Sequence, residues 1–149
     1  MVERPLCTRW RLSAATVLAV LAFFSSAVSR AQDPGTLSIE LNKVESTEQG
    51  CLSVFLLDNE TGHELHRFRL DLVVFDQKGV YAKQLLIDMA PLYEDKKTMA
   101  SFLLGDVACD DIGSVLINDV PQCENGAGAS LDCVKLLQVQ SRSDIPLEK

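Results

Sequence analysis

The sequence predicts an all-β protein, an immunoglobulin-like antiparallel β-sandwich of about seven strands stabilised by disulfides. Three observations predict it. Short apolar runs alternate between two faces, Gly, Pro, Asn and Asp clusters separate them at short intervals, and four cysteines follow an apolar leader. No long helical stripe and no internal repeat competes with this reading.

Residues 1–31 read as a signal peptide. Arg4, Arg9 and Arg11 form a basic start, residues 12–28 are an apolar run too short for a comfortable bilayer span, and Ser29-Arg30-Ala31 supplies small residues at both cleavage-site positions. Cleavage is predicted after Ala31, leaving a single β domain over residues 32–140 and a flexible C-terminal tail over residues 141–149. Retention as an uncleaved anchor is the alternative. Trp10 separates Arg9 from Arg11, so the leader lacks a twin-arginine signal, and Cys7 lies before the apolar run, where a cleavage-site lipid cannot use it.

Losing the leader removes four arginines against Glu3 alone, so 10 basic and 20 acidic residues remain, a charge of −10. Such a field repels nucleic acid and anionic lipid, whose phosphates need lysine or arginine, and it favours cationic partners.

Within the domain, residues 36–44 alternate with Leu37, Ile39 and Leu41 inward, and the polar run 45–50 turns the chain. Residues 51–57 are apolar on both faces, which suits a strand covered on both sides. The clearest strand lies in residues 65–79. Phe68, Leu70, Leu72 and Val74 fall on one side and Arg67, Arg69 and Asp71 on the other. Leu65, Phe68, Leu72 and Phe75 also fit a helical stripe, but the density of valine and phenylalanine favours the strand. Asp76 to Gly79 forms a turn into a hairpin partner over residues 80–88. A crossing loop is expected over 89–97, then strands over 98–104 and 112–120, the latter stopped by Pro121. Residues 124–130 form a loop, and 133–139 a last strand, with a helical turn over 132–138 left open.

The cysteines Cys51, Cys109, Cys123 and Cys133 imply two disulfides in an oxidising compartment. Cys109 and Cys123 flank a predicted strand whose extended length, roughly 45 Å, far exceeds the Cα separation a disulfide allows. Cys123 and Cys133 enclose a glycine-containing loop that can fold back. The predicted pairs are therefore Cys51 with Cys109 and Cys123 with Cys133.

Candidates for chemistry are few. His63 and His66 have H-x-x-H spacing, but a strand points such a pair to opposite faces, and only a turn or helix brings both to one ion. Glu64 is a further ligand candidate, with Met89 or Met99 if the metal were copper. Asp58, Asn59, Glu60 and Glu64, and Asp110 and Asp111 near Asn118 and Asp119, carry oxygen ligands without the spacing of a calcium loop. Solvated acidic turns are the simpler account. Asn59-Glu60-Thr61 is an N-glycosylation triplet. No C-x-x-C, serine elbow, phosphate loop or zinc-protease helix occurs, so no catalytic residue and no cofactor can be named.

Phe75-Asp76-x-x-Gly79-Val80, Leu86-Ile87-Asp88 and the run from Cys109 to Cys123 together resemble a group of small exported proteins of Gram-negative alphaproteobacteria. The distinctive part is Cys-x-x-Ile-Gly-x-x-Leu-Ile-Asn-x-Val-x-x-Cys. The resemblance implies a periplasmic β domain and carries over no active-site residue. Some members carry twin-arginine leaders, which this chain lacks.

The expected function is that of a secreted periplasmic β-sandwich, a non-catalytic protein-interaction or envelope-associated module. A protein partner is expected, nucleic acid and membrane insertion after leader cleavage are not. A small metal-binding protein using His63 and His66 is the first alternative, and an enzyme with an unrecognised site the second.

Overall fold

Alternation in the sequence becomes two stacked sheets whose inner faces share one core. The computed structural model describes residues 35–149, so the expected signal peptide and its expected cleavage after Ala31 lie outside the described residues. The described residues hold eight strands: β1 (Thr36–Thr47), β2 (Gly50–Glu60), β3 (Leu65–Asp76), β4 (Tyr81–Asp88), β5 (Lys96–Leu103), β6 (Ile112–Asn125), β7 (Leu137–Ser141) and β8 (Leu147–Glu148). The first sheet has the order β5-β2-β1-β7 and the second β4-β3-β6-β8. Leu37, Ile39 and Leu41 of β1, Phe55 and Leu57 of β2, Leu70, Leu72 and Val74 of β3 and Val115 and Ile117 of β6 meet between them, all nearly or fully buried. This is the predicted all-β sandwich.

Both hairpins follow from local chemistry. β1 and β2 are joined by Glu48-Gln49, and the Thr47 hydroxyl donates to the Gly50 carbonyl at 2.8 Å while accepting from the Gln49 N–H. Gly50 has φ +124°, and a Cβ there would lie 1.9 Å from the Gly105 carbonyl oxygen, so only glycine fits. In the β3–β4 turn the Asp76 carboxylate accepts from the N–H groups of Lys78 and Val80, each at 2.8 Å.

The disulfides are Cys51–Cys109 and Cys123–Cys133, the pairs expected from reach, with Cα separations of 4.8 and 6.2 Å. All four cysteines are buried in the core. Cys51–Cys109 ties β2 to the one-turn 3-10 helix Cys109–Asp111, and Cys123–Cys133 ties β6 to the short helix α1 (Cys133–Leu136).

Several expectations need correction. Pairing is not wholly antiparallel, because β7 runs parallel to β1 and β8 parallel to β6 at the sheet edges. Pro121 does not stop β6. The register passes from Arg69↔Gln122 to Asp71↔Asp119, so Val120 and Pro121 occupy a bulge where no ladder N–H is required. Lys96 and Lys97, read as loop, begin β5, and residues 133–139 divide into α1 and β7. Residues 141–149, expected to be a flexible tail, are tied down. Val115 N–H donates to the Pro146 carbonyl at 2.9 Å, Ser141 Oγ donates to the Ile145 carbonyl at 2.6 Å, and Ile145 and Leu147 are buried. Two apolar side chains separated by a proline give this edge enough contact to order it, although the Ser-Arg-Ser-Asp run before them reads as coil.

Candidate functional site

The histidines stand apart from any ligand set. His63 lies exposed in the turn before β3, and His66 is exposed on β3, its Nε2 3.0 Å from Glu64 Oε1. Met89 is buried in the core, and Met99 is exposed on the other sheet. Among the described residues no group of three or more His, Cys, Asp or Glu side chains is placed to hold a metal ion.

The acidic runs are also dispersed. Strand alternation sends Asp58 outward to pair with Lys97 at 3.2 Å and Asn59 inward to full burial. The Asn59 amide donates to the carbonyls of His63, Leu92 and Tyr93 at 2.8, 3.1 and 3.2 Å and accepts from Thr61 Oγ1 at 2.7 Å. It is an internal brace between turns. The folded chain therefore presents no accessible amide at the glycosylation triplet. Asp110 and Asp111 sit in the 3-10 turn, while Asn118 and Asp119 belong to a bulge of β6.

What the fold does assemble is a pair of buried carboxylates, one on the outward face of each sheet. The first is Glu40 of β1, only 5% exposed. The β1–β2 register skips Asn42, and this bulge lets Asn42 Nδ2 donate to Glu40 Oε1 at 2.7 Å. From the β7 side, Gln140 Nε2 and Arg142 Nε donate to Glu40 Oε2 at 2.6 and 2.9 Å. The bond from Asn42, then the bond and charge of Arg142, hold the Glu40 carboxyl below its ordinary value of 4.5. These residues line a shallow groove of about 280 Å³ that continues over Ser38 and Leu56 to the Asp58–Lys97 pair. Register places Met99, Leu56, Glu40 and Gln140 in one row across the sheet, apolar at the β5 side and polar at the β7 side.

The second carboxylate is Asp71 of β3, 7% exposed. Here too a bulged asparagine contributes, because the β3–β6 register jumps from Ile117 to Asp119 and leaves Asn118 free to donate to Asp71 Oδ2 at 2.7 Å. Gln84 Nε2 of β4 donates to Oδ1 and Oδ2 at 2.7 and 2.9 Å. Leu86, opposite Asp71 in register, is 61% exposed, and Tyr81 further along β4 is 60% exposed. The neighbouring Arg69 is committed to Asp88 through two bonds of 2.8 and 2.7 Å.

Both carboxylates have each oxygen engaged by N–H donors. Such a group positions its neighbours, and it is poorly placed to take a proton from a substrate. Alternation in the sequence leaves Glu40 and Asp71 between inward-facing apolar residues and shows nothing of their networks, because donors such as Gln140, 100 residues beyond Glu40, and Asn118, 47 beyond Asp71, are brought in only by the fold. No family model matches the chain, and neither a curated protein nor a solved structure proves similar to it.

Proposed function

We propose that this chain is a non-catalytic protein-interaction module of the cell envelope, working in the periplasm and binding another protein through the outer faces and free edges of its sandwich. The observation that carries this reading is the pair of eight-residue edge strands, β4 and β5, each presenting a large apolar side chain outward. Leu86 and Tyr81 on β4 and Met99 on β5, which is 71% exposed, stand beside built polar networks. Unpaired strand edges and apolar residues framed by polar ones are what partner chains use. Two buried disulfides support an oxidising compartment, and the resemblance to exported alphaproteobacterial proteins supports the periplasm. No helix among the described residues is long and apolar enough to cross a membrane. Metal binding through His63 and His66 gains no third ligand among the described residues.

Affinity capture from a periplasmic extract, comparing the exported protein with its Leu86→Glu and Met99→Glu variants, tests the proposal. One discrete partner held by the native chain and lost with either variant is the expected result. Capture of nothing, or equal capture by all three, contradicts it.

A further inference from the structure

We infer that Asp71 anchors a docking surface for a partner segment presenting an arginine between apolar side chains. The inference rests on the interaction-module reading and names the chemistry of the partner. Its basis is the comparison of the two outward carboxylates.

Glu40 and Asp71 are built alike. Each is nearly buried on the solvent side of a sheet, and each takes one amide from a bulged asparagine and another from a glutamine on a neighbouring strand. They differ in one component. Glu40 also holds the guanidinium of Arg142, whereas no Lys, Arg or His comes within ion-pair distance of Asp71 among the described residues. Arg69, the nearest in sequence on the same face, is spent on Asp88. Both Asp71 oxygens accept only N–H donors, three in all, and acceptor capacity is left, since a carboxylate offers about four lone-pair sites. A nearly buried anion without a cation is costly, and a cation from outside relieves that cost.

The surroundings select the same partner. Asp119 faces Asp71 across the β3–β6 ladder, and the whole chain carries −7, so this face attracts cations and repels acidic segments. Exposed Leu86 lies opposite Asp71, and half-buried Val73 and Leu116, with exposed Tyr81 further along β4, extend an apolar surface to one side of the charge. An apolar rim around one desolvated charged contact is the usual build of an interface hot spot. Arginine fits better than lysine because its planar fork bonds a carboxylate while its stem lies along apolar neighbours.

The test is a nuclear magnetic resonance titration of the oxidised, isotope-labelled exported protein with two capped tripeptides, leucine-arginine-leucine and leucine-citrulline-leucine. The arginine peptide should shift the side-chain amide signals of Gln84 and Asn118 saturably and bind about tenfold tighter than its neutral isostere. Asp71→Asn should abolish that difference. Leu86→Ser, at an exposed position that leaves folding intact, should weaken both peptides alike. Equal affinities for the two peptides on the native chain overturn the proposal whether or not Asp71→Asn folds. So do arginine-dependent shifts spread over Asp110, Asp111 and Asp144, or shifts of the same signals on concentrating the protein alone, which would assign the face to a second copy of the chain. Failure here with successful capture from extract removes the arginine and keeps the interaction module; capture of nothing removes the module itself.

Discussion

Glu40 and Asp71 are carboxylates that the fold covers and then supplies with hydrogen bonds, and at this scale the consequences are energetic. Replacing Glu40 by glutamine keeps the shape but turns an acceptor into a group whose NH2 confronts the donors of Asn42 or Gln140. A loss of about 1–3 kcal/mol is expected in urea unfolding at neutral pH, the usual cost of an unmatched covered polar group. The pH dependence has a definite sign. The folded Glu40 carboxyl is held below its ordinary 4.5, chiefly by Asn42, so the unfolded chain takes up the proton first as pH falls. The stability it contributes is complete above about pH 4.5 and is lost as pH drops through the lower folded value. The native and Glu40→Gln stabilities should therefore differ by a constant amount from neutral pH to the upper edge of that window and converge below it. A difference that grows on acidification would contradict the assignment.

At the scale of elements, the disulfides are the main staples. Cys51–Cys109 closes a separation of 58 residues and Cys123–Cys133 one of 10, so loop-closure entropy assigns about 4 and about 3 kcal/mol to them respectively. Chemical unfolding of the paired alanine variants should reproduce that order, and no loss from Cys51→Ala with Cys109→Ala would show that the bridge is not structural. The C-terminal edge is the second staple. Truncation after Ser143 removes buried Ile145 and Leu147, and each fully buried aliphatic side chain is worth roughly 1.5–3 kcal/mol, so a loss of about 3 kcal/mol or more is expected. An unchanged midpoint would restore the tail to coil.

The same elements show what could be read in advance. β3 was legible because period-two alternation survives in Phe68, Leu70, Leu72 and Val74, and the disulfide pairing because extended chain has a fixed length. β8 was not, since two residues paired in parallel at an edge leave no periodic pattern. The run of β6 through Pro121 was hidden because a bulge removes the need for the N–H that proline lacks. The carboxylate networks were invisible for another reason: their asparagines act only because bulges re-aim them, and bulges belong to register, not to local sequence.

For the molecule as a whole, charge and surface decide what partner is compatible. Of the ten lysines and arginines among the described residues, seven already face a carboxylate, so little free positive surface is left for an anion. Apart from the pair on covered Glu40, these pairs are largely exposed and contribute little stability individually, but together they leave the acidic excess as the dominant long-range signal. Such an excess attracts cations and repels polyanions, which suits the proposed interaction with a protein partner. Its polar networks and apolar edge residues lie on the outer faces of the sheets, where a protein surface can reach them.

The most direct test of that claim is site-specific photo-cross-linking in the living cell, with a photoreactive residue placed at position 86, at position 99, or in the β1–β2 turn at position 48. The account predicts a discrete cross-linked partner from position 86 or 99 and none from position 48. Absence of any partner at both strand positions, or the same products from all three, would contradict it.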